Sequence, residues 1–445
     1  MKKAIPQGKF YLLAIASLFL FLPGCWWAGY LPGQKYLPLN PNLGVRHTPV
    51  YHQDGWIIAR ASLHNHTIIS DGTSRPEDLI ELARREGIAI LAVTDHREGR
   101  IQLSNGLKIP VNGIEKIGYQ KYFDTLVPLK EANPDLIILI GAEVNPYLYN
   151  IGRFPGFVIL NQDSHFVVYN LKDPEVFEKM PAWREVSVKP IGYPGRAPYQ
   201  DWVNYIADHN GLVFVAHPDS NQNIWVLTIR FYSEPQVQSL HLKNIAGFSS
   251  LTESYGPEFA GPGGAWDSVL SEYLSGMRDR PIWTVGDCDY HGGNGTLTGC
   301  GNTLFYLREF SEDDVYLAMR QGRMVSFAGE MFQNSYIAEF SVSDGKTPQD
   351  KIMFGQEIKI FAPPLIRFSL DHQIPGVKTL LIRNGKVIRE TEGSALEFID
   401  QEMFEKKMPA YYRIEVLGPF TKVKIKDHEH LQPNIIFTNP IFVRL

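Results

Sequence analysis

Short apolar segments that end in His, Asp or Glu recur along this chain and limit its fold more than any other feature. Such segments are brief, rich in β-branched residues and bounded by Gly, Pro or charged residues, as buried parallel strands are, at 87–94, 135–142, 211–216 and 281–285. Amphipathic helix patterns lie between them, at 77–86 and 312–321. The region 50–329 therefore predicts an α/β fold whose polar side chains collect at the carboxyl ends of the strands.

The pattern changes beyond about residue 335. Alternating strand-like runs at 357–362, 380–383 and 411–416 predict a small antiparallel β domain, with an immunoglobulin-like sandwich as the expected form. A chain of 445 residues also exceeds the size at which one hydrophobic core keeps growing. We therefore expect an α/β domain over 50–334 and a β domain over 335–445.

The amino terminus predicts export. Basic residues precede a short apolar run at 10–22, which is typical of a signal peptide rather than a spanning helix. The run ends in Leu22-Pro23-Gly24-Cys25, which resembles the lipobox of bacterial lipoproteins, so we expect a signal peptide over 1–25 with Cys25 as the lipidated residue. An uncleaved anchor or a signal cut elsewhere is the alternative. Residues 26–49 are expected to tether a periplasmic or outer-face protein to the membrane.

Composition excludes one class of partner. The formal net charge of −5 argues against nucleic acid as the main partner. In an oxidising compartment Cys288 and Cys300 could pair across a short loop, and a buried or metal-adjacent thiol is the competing interpretation for Cys288.

The pair His64 and His66 is the first candidate for metal binding. It follows a strand-like run, and the period of two places both imidazoles on one face. Alone the pair is a weak signal, because the chain contains a second one, His428 and His430. We expect that second pair to lie in a solvated charged loop over 424–430.

Further polar residues follow the other predicted strands and strengthen the first pair: Asp71, Asp95, His96, Glu143, His217, Asp289 and His291. Imidazole and carboxylate ligands together suit zinc, manganese or iron. A bridging carboxylate such as Glu143 can hold two metals about 3.5–4 Å apart. We therefore expect two or three divalent metal ions.

Taken together and in this order, these motifs resemble those of the polymerase and histidinol phosphatase (PHP) superfamily of metallophosphoesterases. The resemblance covers roughly 50–329 and implies a distorted seven-stranded (β/α)7 barrel. It also implies three metals: one held by His64, His66, Glu143 and Asp289, a second shared by Glu143 and completed by His217 and another histidine, and a third held by Asp71, His96 and His291. The remaining histidine is His165 or His209, and His165 is better placed after a strand-like run.

Supporting roles are also expected around these ligands. Asp287 is a second aspartate in the last motif, and the spacing to His291 favours Asp289 as the ligand. Asp287 is then expected to support a ligand from behind or to lie in the loop, and the reversed assignment of the two aspartates is the alternative. Asp95 is a natural acceptor to fix a ligand imidazole, with a plain buried hydrogen bond as the alternative. Arg97 is the cation to test for phosphate contact, with a solvent-facing loop arginine as the alternative.

The expected reaction is hydrolysis of a small phosphate ester by a hydroxide that bridges two metals, with Asp289, His291 or metal-bound water protonating the leaving group. A β domain with the closing run Thr438-Asn439-Pro440-Ile441-Phe442 also looks like a carbaryl hydrolase-like branch that cleaves carbamate or carboxyl esters. Few cations near the site and nearby aromatic residues favour that alternative: Tyr147, Tyr149, Trp266 and Tyr290. A lipoprotein that binds a ligand without turnover is the third possibility.

Overall fold

The computed structural model describes residues 36–39, 48–103, 108–152, 156, 158–161, 164–183, 185–186, 192, 195–226, 228–251, 257–293, 295–345, 351–425 and 428–445. The expected signal peptide, Cys25 and most of the expected tether lie outside these residues. Within the described ranges, no helix has the length and apolar composition needed to cross a membrane.

The strands in the first part of the chain are β1 (Val50–Gln53), β2 (Trp56–Ser62), β3 (Ile90–Val93), β4 (Arg100–Leu103), β5 (Lys108–Pro110), β6 (Ile137–Ile140), β7 (Ala142–Val144), β8 (Tyr149–Ile151), β9 (Val158–Leu160), β10 (Phe166–Tyr169), β11 (Glu185–Val186), β12 (Leu212–Val215), β13 (Gln222–Val226), β14 (Ile229–Ser233), β15 (Gly247–Leu251), β16 (Trp283–Gly286), β17 (Asn302–Leu307) and β18 (Met324–Ala328). Those that follow are β19 (Ile337–Asp344), β20 (Lys351–Met353), β21 (Glu357–Lys359), β22 (Pro364–Leu370), β23 (Lys378–Arg383), β24 (Lys386–Glu392), β25 (Ala395–Ile399), β26 (Ala410–Leu417), β27 (Thr421–Ile425), β28 (His428–Gln432), β29 (Ile435–Thr438) and β30 (Ile441–Arg444).

The helices are α1 (Pro76–Glu86), α2 (Ile114–Ile117), α3 (Tyr119–Glu131), α4 (Pro174–Glu178), α5 (Ala197–Asp208), α6 (Val237–Leu240), α7 (Pro257–Ala260), α8 (Ala265–Leu274), α9 (Glu312–Gln321) and α10 (Gln401–Glu405), with a 3₁₀ turn at Glu330–Phe332. Helix α1 shows why the sequence signals succeed. Pro76 opens it, two acidic residues lie in its first turn, and Gly87 ends it with φ 69°. The predicted helices and the four predicted strands are confirmed as elements.

Two sheets carry the predicted site residues. In the first, β2, β3 and β6 are parallel, and β17 and β18 continue the sheet on the other side of β2. The second has the order β16-β15-β12-β10-β7, with β10 antiparallel to both of its neighbours. Strands β3 and β6 are buried along their whole length, which explains their continuous apolar sequences.

Gly141 marks the point where the chain leaves the first sheet for the second. It is the single residue between β6 and β7. A Cβ atom at this position would lie 2.6 Å from the backbone oxygen of Val168, so a side chain has no room. The turn places Glu143, in β7, at the edge where the two sheets meet.

The expected closed seven-stranded barrel is not confirmed. Among the described strands, β16 and β17 approach each other through side-chain contacts and not through a strand ladder: the Gly286 amide donates to Thr303 Oγ1 at 3.0 Å, and that hydroxyl donates to the Gly286 oxygen at 2.8 Å. The fold is therefore a mixed α/β structure of open sheets.

The region after residue 335 is mainly antiparallel. Strands β20, β19, β22 and β25 form one sheet, while β23, β26, β29 and β30 extend the first sheet through the pairing of β29 with β18. One apolar core lies between these layers and includes Phe340 and Ile414 as well as Leu304 and Phe327 from the earlier region. The domain boundary at 334/335 stays a prediction. The expected charged loop at 424–430 is wrong, because β27 and β28 form a hairpin there.

A buried ion pair ties helix α8 to strand β26. The Arg413 guanidinium is fully buried and donates to both carboxylate oxygens of Asp267, at 2.9 and 2.7 Å, and to Glu415 at 2.6 Å. The Tyr411 hydroxyl donates to Asp267 at 2.9 Å. Because these charged groups are buried and have lost their hydration, the stability of each depends on its oppositely charged partner.

Replacing Asp267 with Ala leaves Arg413 buried with one carboxylate partner fewer. We expect the free energy of unfolding to fall by about 3–5 kcal/mol, measured by urea denaturation. Glu397→Ala, which removes an exposed pair with Arg367 on β22, is the control and should leave the midpoint nearly unchanged. Equal midpoints for the two variants would contradict this account of the interface.

Candidate metal centre

All nine predicted ligands converge at the ends of strands from both sheets: His64 and His66 after β2, Asp71 before α1, His96 after β3, Glu143 in β7, His165 before β10, His217 after β12, and Asp289 and His291 after β16. Backbone hydrogen bonds fix two of these segments to each other. The His66 amide donates to the Tyr290 oxygen at 2.8 Å, and the Tyr290 amide donates to the His64 oxygen at 3.0 Å.

The first group is His64, His66, Glu143 and Asp289. Glu143 Oε2 lies 3.3 Å from His64 Nε2 and 3.2 Å from His66 Nε2. Asp289 Oδ1 lies 3.2 Å from each of the same two nitrogens. These four donor atoms lie within 4.8 Å of one another and could hold a metal ion. The set is the one that the family resemblance implies for the first metal.

The second group contains Asp71, His96, His291 and also His66. Asp71 Oδ2 lies 3.2 Å from His291 Nε2 and 3.5 Å from His96 Nε2. The His66 and His291 rings stack with centroids 4.2 Å apart. The resemblance implied this set without His66, which here borders two groups.

The third group centres on the other oxygen of Glu143. Oε1 lies 2.9 Å from His165 Nδ1 and 3.1 Å from His217 Nε2, and these two nitrogens are 3.2 Å apart. His96 also belongs to a possible ligand group with Glu143 and His165. His209 lies elsewhere, with its Nδ1 2.7 Å from the Tyr205 oxygen. The structure thus brings His165, and not His209, to the cluster.

Two of these residues have unusual backbone conformations. His217 has φ 26° and Asp289 has φ 46°, in the left-handed region that non-glycine residues rarely adopt. Such conformations cost about 1–3 kcal/mol each and persist where the surroundings hold them. His217 directs Nε2 to Glu143, and Asp289 directs Oδ1 to the imidazole of His64, which itself faces Glu143.

Burial and charge shift the pKa values of the cluster strongly. Burial lowers the pKa of His96 to about 4, against the opposing effect of Asp71. For His291, burial also lowers the pKa, but the carboxylates of Asp71 and Asp289 outweigh it and raise the pKa to about 10. Burial would raise the pKa of Glu143, whereas the surrounding histidines hold it well below its ordinary value.

The donor set fits divalent metals. Asp289 Oδ1 is buried and makes no hydrogen bond with a described residue, although two imidazole nitrogens lie 3.2 Å away. A carboxylate oxygen in this position is a natural metal ligand. The overlap of three ligand groups around Glu143 and His66 suits more than one ion.

Asp95 reaches a ligand imidazole through an intervening hydroxyl group. It is fully buried and accepts hydrogen bonds from Ser70 Oγ at 2.6 Å and from Thr67 Oγ1 at 2.8 Å. Ser70 Oγ in turn lies 3.2 Å from His66 Nδ1. Asp95 therefore orients His66 through Ser70, a residue that no sequence motif had singled out.

The structure decides one of the two expectations for Arg97: phosphate contact stays a prediction, because Nη1 is buried and has no hydrogen-bond partner among the described residues. Its guanidinium is buried, so it is not a solvent-facing arginine. Nε donates to the Tyr119 hydroxyl at 2.9 Å and Nη2 to the Met180 oxygen at 3.0 Å, so two of its three nitrogens bind protein groups. Arg97 braces the loops that surround His96.

A disulfide closes the segment that carries Asp289 and His291. Cys288 and Cys300 are bonded, with Cα atoms 5.3 Å apart. The same loop is held by Glu86, whose carboxylate accepts from the Thr298 amide at 2.9 Å and from its hydroxyl at 3.0 Å. The pairing decides between the alternatives for Cys288.

Residues 62–255 match the family model described as PHP domain. This segment is less than half of the 445 residues. The match supports the PHP superfamily for this segment. No curated protein matches the chain. The carbaryl hydrolase-like branch stays a prediction.

Solved structures with distant likeness include a two-domain protein from Bacteroides vulgatus containing a predicted PHP-like metal-dependent phosphoesterase, at 13% identity and TM-score 0.41, covering 87% of this chain and 98% of that one. Another is an amidohydrolase from Chromobacterium violaceum with bound sulfate. It has 14% sequence identity and a TM-score of 0.29, and the match covers 54% of this chain and 91% of that one. A third is a protein from Bifidobacterium adolescentis that is proposed to be a metal-dependent phosphoesterase. It has 16% sequence identity and a TM-score of 0.29, and the match covers 53% of this chain and 90% of that one. These likenesses are too distant to indicate function.

Metal binding should release protons. The carboxylates of Asp71 and Asp289 raise the pKa of His291 to about 10 despite burial, so we expect this imidazole to carry a proton at neutral pH in the metal-free protein. Ligand imidazoles must be neutral, so the affinity for Zn²⁺ should rise with pH up to about 10. Calorimetric titration in two buffers with different protonation enthalpies measures the released protons. Identical heats in both buffers would contradict the prediction.

Replacing both Cys288 and Cys300 with Ser should loosen the ligand loop. For a closed loop of this length we expect the free energy of unfolding to fall by about 2–3 kcal/mol, measured by chemical denaturation of the metal-free protein. Wild-type protein treated with reductant should match the double variant. No loss of stability in either sample would show that the other contacts of the loop suffice.

Proposed function

We propose that this chain is a metal-dependent hydrolase that cleaves a small phosphate ester at the cluster around Glu143. The observation that carries the proposal is the overlap of the three ligand groups. Glu143 belongs to two of these groups, and its carboxylate faces imidazoles from both sheets. Clusters that share a carboxylate are typical of sites with two or more metals. The PHP domain match over 62–255 supports the same class of chemistry.

When bound, divalent metals at such a site lower the pKa of water and neutralise charge that develops on the ester oxygens. The protein would hold them with the nine convergent residues described above. Burial of most of these side chains excludes bulk water and strengthens their electrostatic effect on a bound ester.

The open side of the cluster is at His291. Its side chain is 30% exposed, whereas the Asp71 and Asp289 side chains beside it are 5% and 3% exposed. Substrate therefore reaches the site past His291. Neither side chain expected to donate a proton to the leaving group would be well suited once metals are bound. Neighbouring histidines hold the pKa of Asp289 below its ordinary value despite burial, and a ligand His291 would be neutral, with its Nδ1 2.7 Å from the Asp289 oxygen. Water held at the site would then be the remaining proton donor.

A carboxyl or carbamate ester is the second candidate, and the placement of two arginines favours it. Two of the three guanidinium nitrogens of Arg97 bind protein groups, which leaves only Nη1 for a substrate, and Arg75 is paired with Asp78 through Nε at 2.9 Å. Phosphate recognition would then depend on the metals. The expected aromatic lining is only partly consistent: Trp266 is fully buried and donates to the Ile282 oxygen, so it belongs to the core.

We further propose that the enzyme acts outside the cytoplasm, anchored by acylation of Cys25, with no nucleic-acid partner. The support is the sequence of residues 1–25. A Cys25→Ala variant should lose incorporation of labelled fatty acid, with Cys288→Ala as the matched control. Equal labelling of the Cys25 variant and wild type would contradict the anchor.

The reaction is tested by assaying purified full-length chain, loaded with Zn²⁺ or Mn²⁺, on p-nitrophenyl phosphate, phosphodiester, carboxylate and carbamate esters. We expect phosphate esters to be hydrolysed and Glu143→Gln to lower kcat/KM by more than about 100-fold. Replacing a residue that merely hydrogen-bonds to a metal ligand already lowers metal affinity or activity about 10–100-fold. Glu131→Gln, at the exposed end of α3, is the matched control.

Each outcome selects a different function. Turnover of only carboxylate or carbamate esters would replace the phosphoesterase proposal by the second candidate. Full metal loading without turnover of any ester would favour a ligand-binding lipoprotein. Equal activity of the Glu143 and Glu131 variants would remove the cluster from the reaction.

A further inference from the structure

Asp287 lies against the edge of His64 that faces away from the other ligands. His64 Nε2 points to Glu143 Oε2 at 3.3 Å and to Asp289 Oδ1 at 3.2 Å. Its Nδ1 lies 3.7 Å from Asp287 Oδ2. Both side chains are buried, at 0% and 3% exposure. One imidazole ring therefore stands between the ligand cluster and a second carboxylate.

This carboxylate has no other described use. Asp287 Oδ1 and His64 Nδ1 are both buried without a hydrogen-bond partner among the described residues. A buried carboxylate that lacks a partner is unfavourable unless a nearby positive or donor group offsets the loss of water. The His64 ring supplies that group, since a metal bound at Nε2 requires the proton of a neutral imidazole to sit on Nδ1.

The backbone holds Asp287 in place from both sides. The Asp287 amide donates to the Leu251 oxygen at 3.2 Å. The residue before it, Gly286, is held against β17, and the residue after it, Cys288, is in the disulfide. The 3.7 Å separation is that of an ion pair, and a closing of about 0.7 Å would make it a hydrogen bond.

Asp287 and Asp289 therefore differ in function although both lie in one motif. Asp289 Oδ1 faces Nε2 of His64 and of His66, on the ligand side. Among the ligand atoms of the described residues, Asp287 faces Nδ1 of His64, so it cannot share an ion with the first group without displacing the ring. The two-residue spacing thus places one carboxylate in front of the imidazole and one behind it.

We propose that Asp287 is a positioning residue that accepts the Nδ1 proton of His64, fixes the ring orientation and directs Nε2 to the metal position shared with His66, Glu143 and Asp289. A carboxylate behind a ligand imidazole selects its tautomer and raises its basicity as a ligand. The proposal rests on the proposed function only in taking the cluster to be a metal site.

The test compares the Zn²⁺ affinity of full-length wild type, Asp287→Asn and Asp287→Ala by competition with a chromophoric chelator. Asp287→Asn keeps the size and one acceptor oxygen. Asp400→Asn is the matched control, because it also changes a buried aspartate, at the start of α10, that contacts none of the cluster. Thermal unfolding of each protein is measured in parallel, without and with Zn²⁺.

We expect the tightest Zn²⁺ to bind about 10–100-fold more weakly to Asp287→Ala, with a smaller loss in Asp287→Asn and none in Asp400→Asn. Because Asp287 also contacts His64 in the metal-free protein, the discriminating readout is the rise of the unfolding midpoint on adding Zn²⁺, which should be smaller in Asp287→Asn than in wild type and in Asp400→Asn and which a merely structural role would leave unchanged. Should Asp287→Ala fail to fold, Asp287→Asn carries the test.

Wild-type Zn²⁺ affinity in Asp287→Asn and Asp287→Ala would overturn the proposal while leaving the proposed function intact. An equal rise of the unfolding midpoint on adding Zn²⁺ in Asp287→Asn and in wild type would also overturn it. Failure of wild type itself to bind Zn²⁺ would overturn the proposed function and this proposal together, so the two failures are distinguishable.

Discussion

The structure depends on one buried carboxylate surrounded by imidazoles. Glu143 Oε2 lies 3.1–3.3 Å from nitrogens of His64, His66 and His96, and Oε1 lies 2.9 and 3.1 Å from those of His165 and His217. A lone charge at this depth would cost far more than the fold can supply, so these groups must stay together and be balanced by cations. Because Glu143 lies where the chain passes from one sheet to the other, this requirement joins the two sheets.

The surrounding contacts hold the cluster in one arrangement. The Asn65 and Tyr290 segments are fixed by backbone bonds, Ser70 links Asp95 to His66, and the disulfide and Glu86 hold the loop that carries Asp289. Such an outer layer is what keeps metal ligands in one rotamer and tautomer. The left-handed conformations of His217 and Asp289 persist for the same reason.

Much of this site could be predicted from the sequence, because most of the ligands lie shortly after a strand with a strong apolar signal. Asp71, in a turn, Glu143, inside β7, and His165, before β10, are found through the motif order. The closed barrel could not be predicted reliably, since whether β16 and β17 form a ladder depends on the packing around Gly286 and Thr303. The burial of Arg97 could not be predicted either, because adjacency to a ligand in sequence does not determine which way a long side chain points. His428 was misjudged because charge alone was taken to indicate a loop, although β27 and β28 pair there.

The central claim is that the cluster around Glu143 binds more than one divalent metal. Its most direct test is a count of metal per chain by mass spectrometric elemental analysis, after loading the full-length protein with Zn²⁺ and dialysing away the excess. The account predicts two or three ions per chain, most of them lost in Glu143→Gln. A protein that retains no zinc, or equal zinc with and without Glu143, would contradict it.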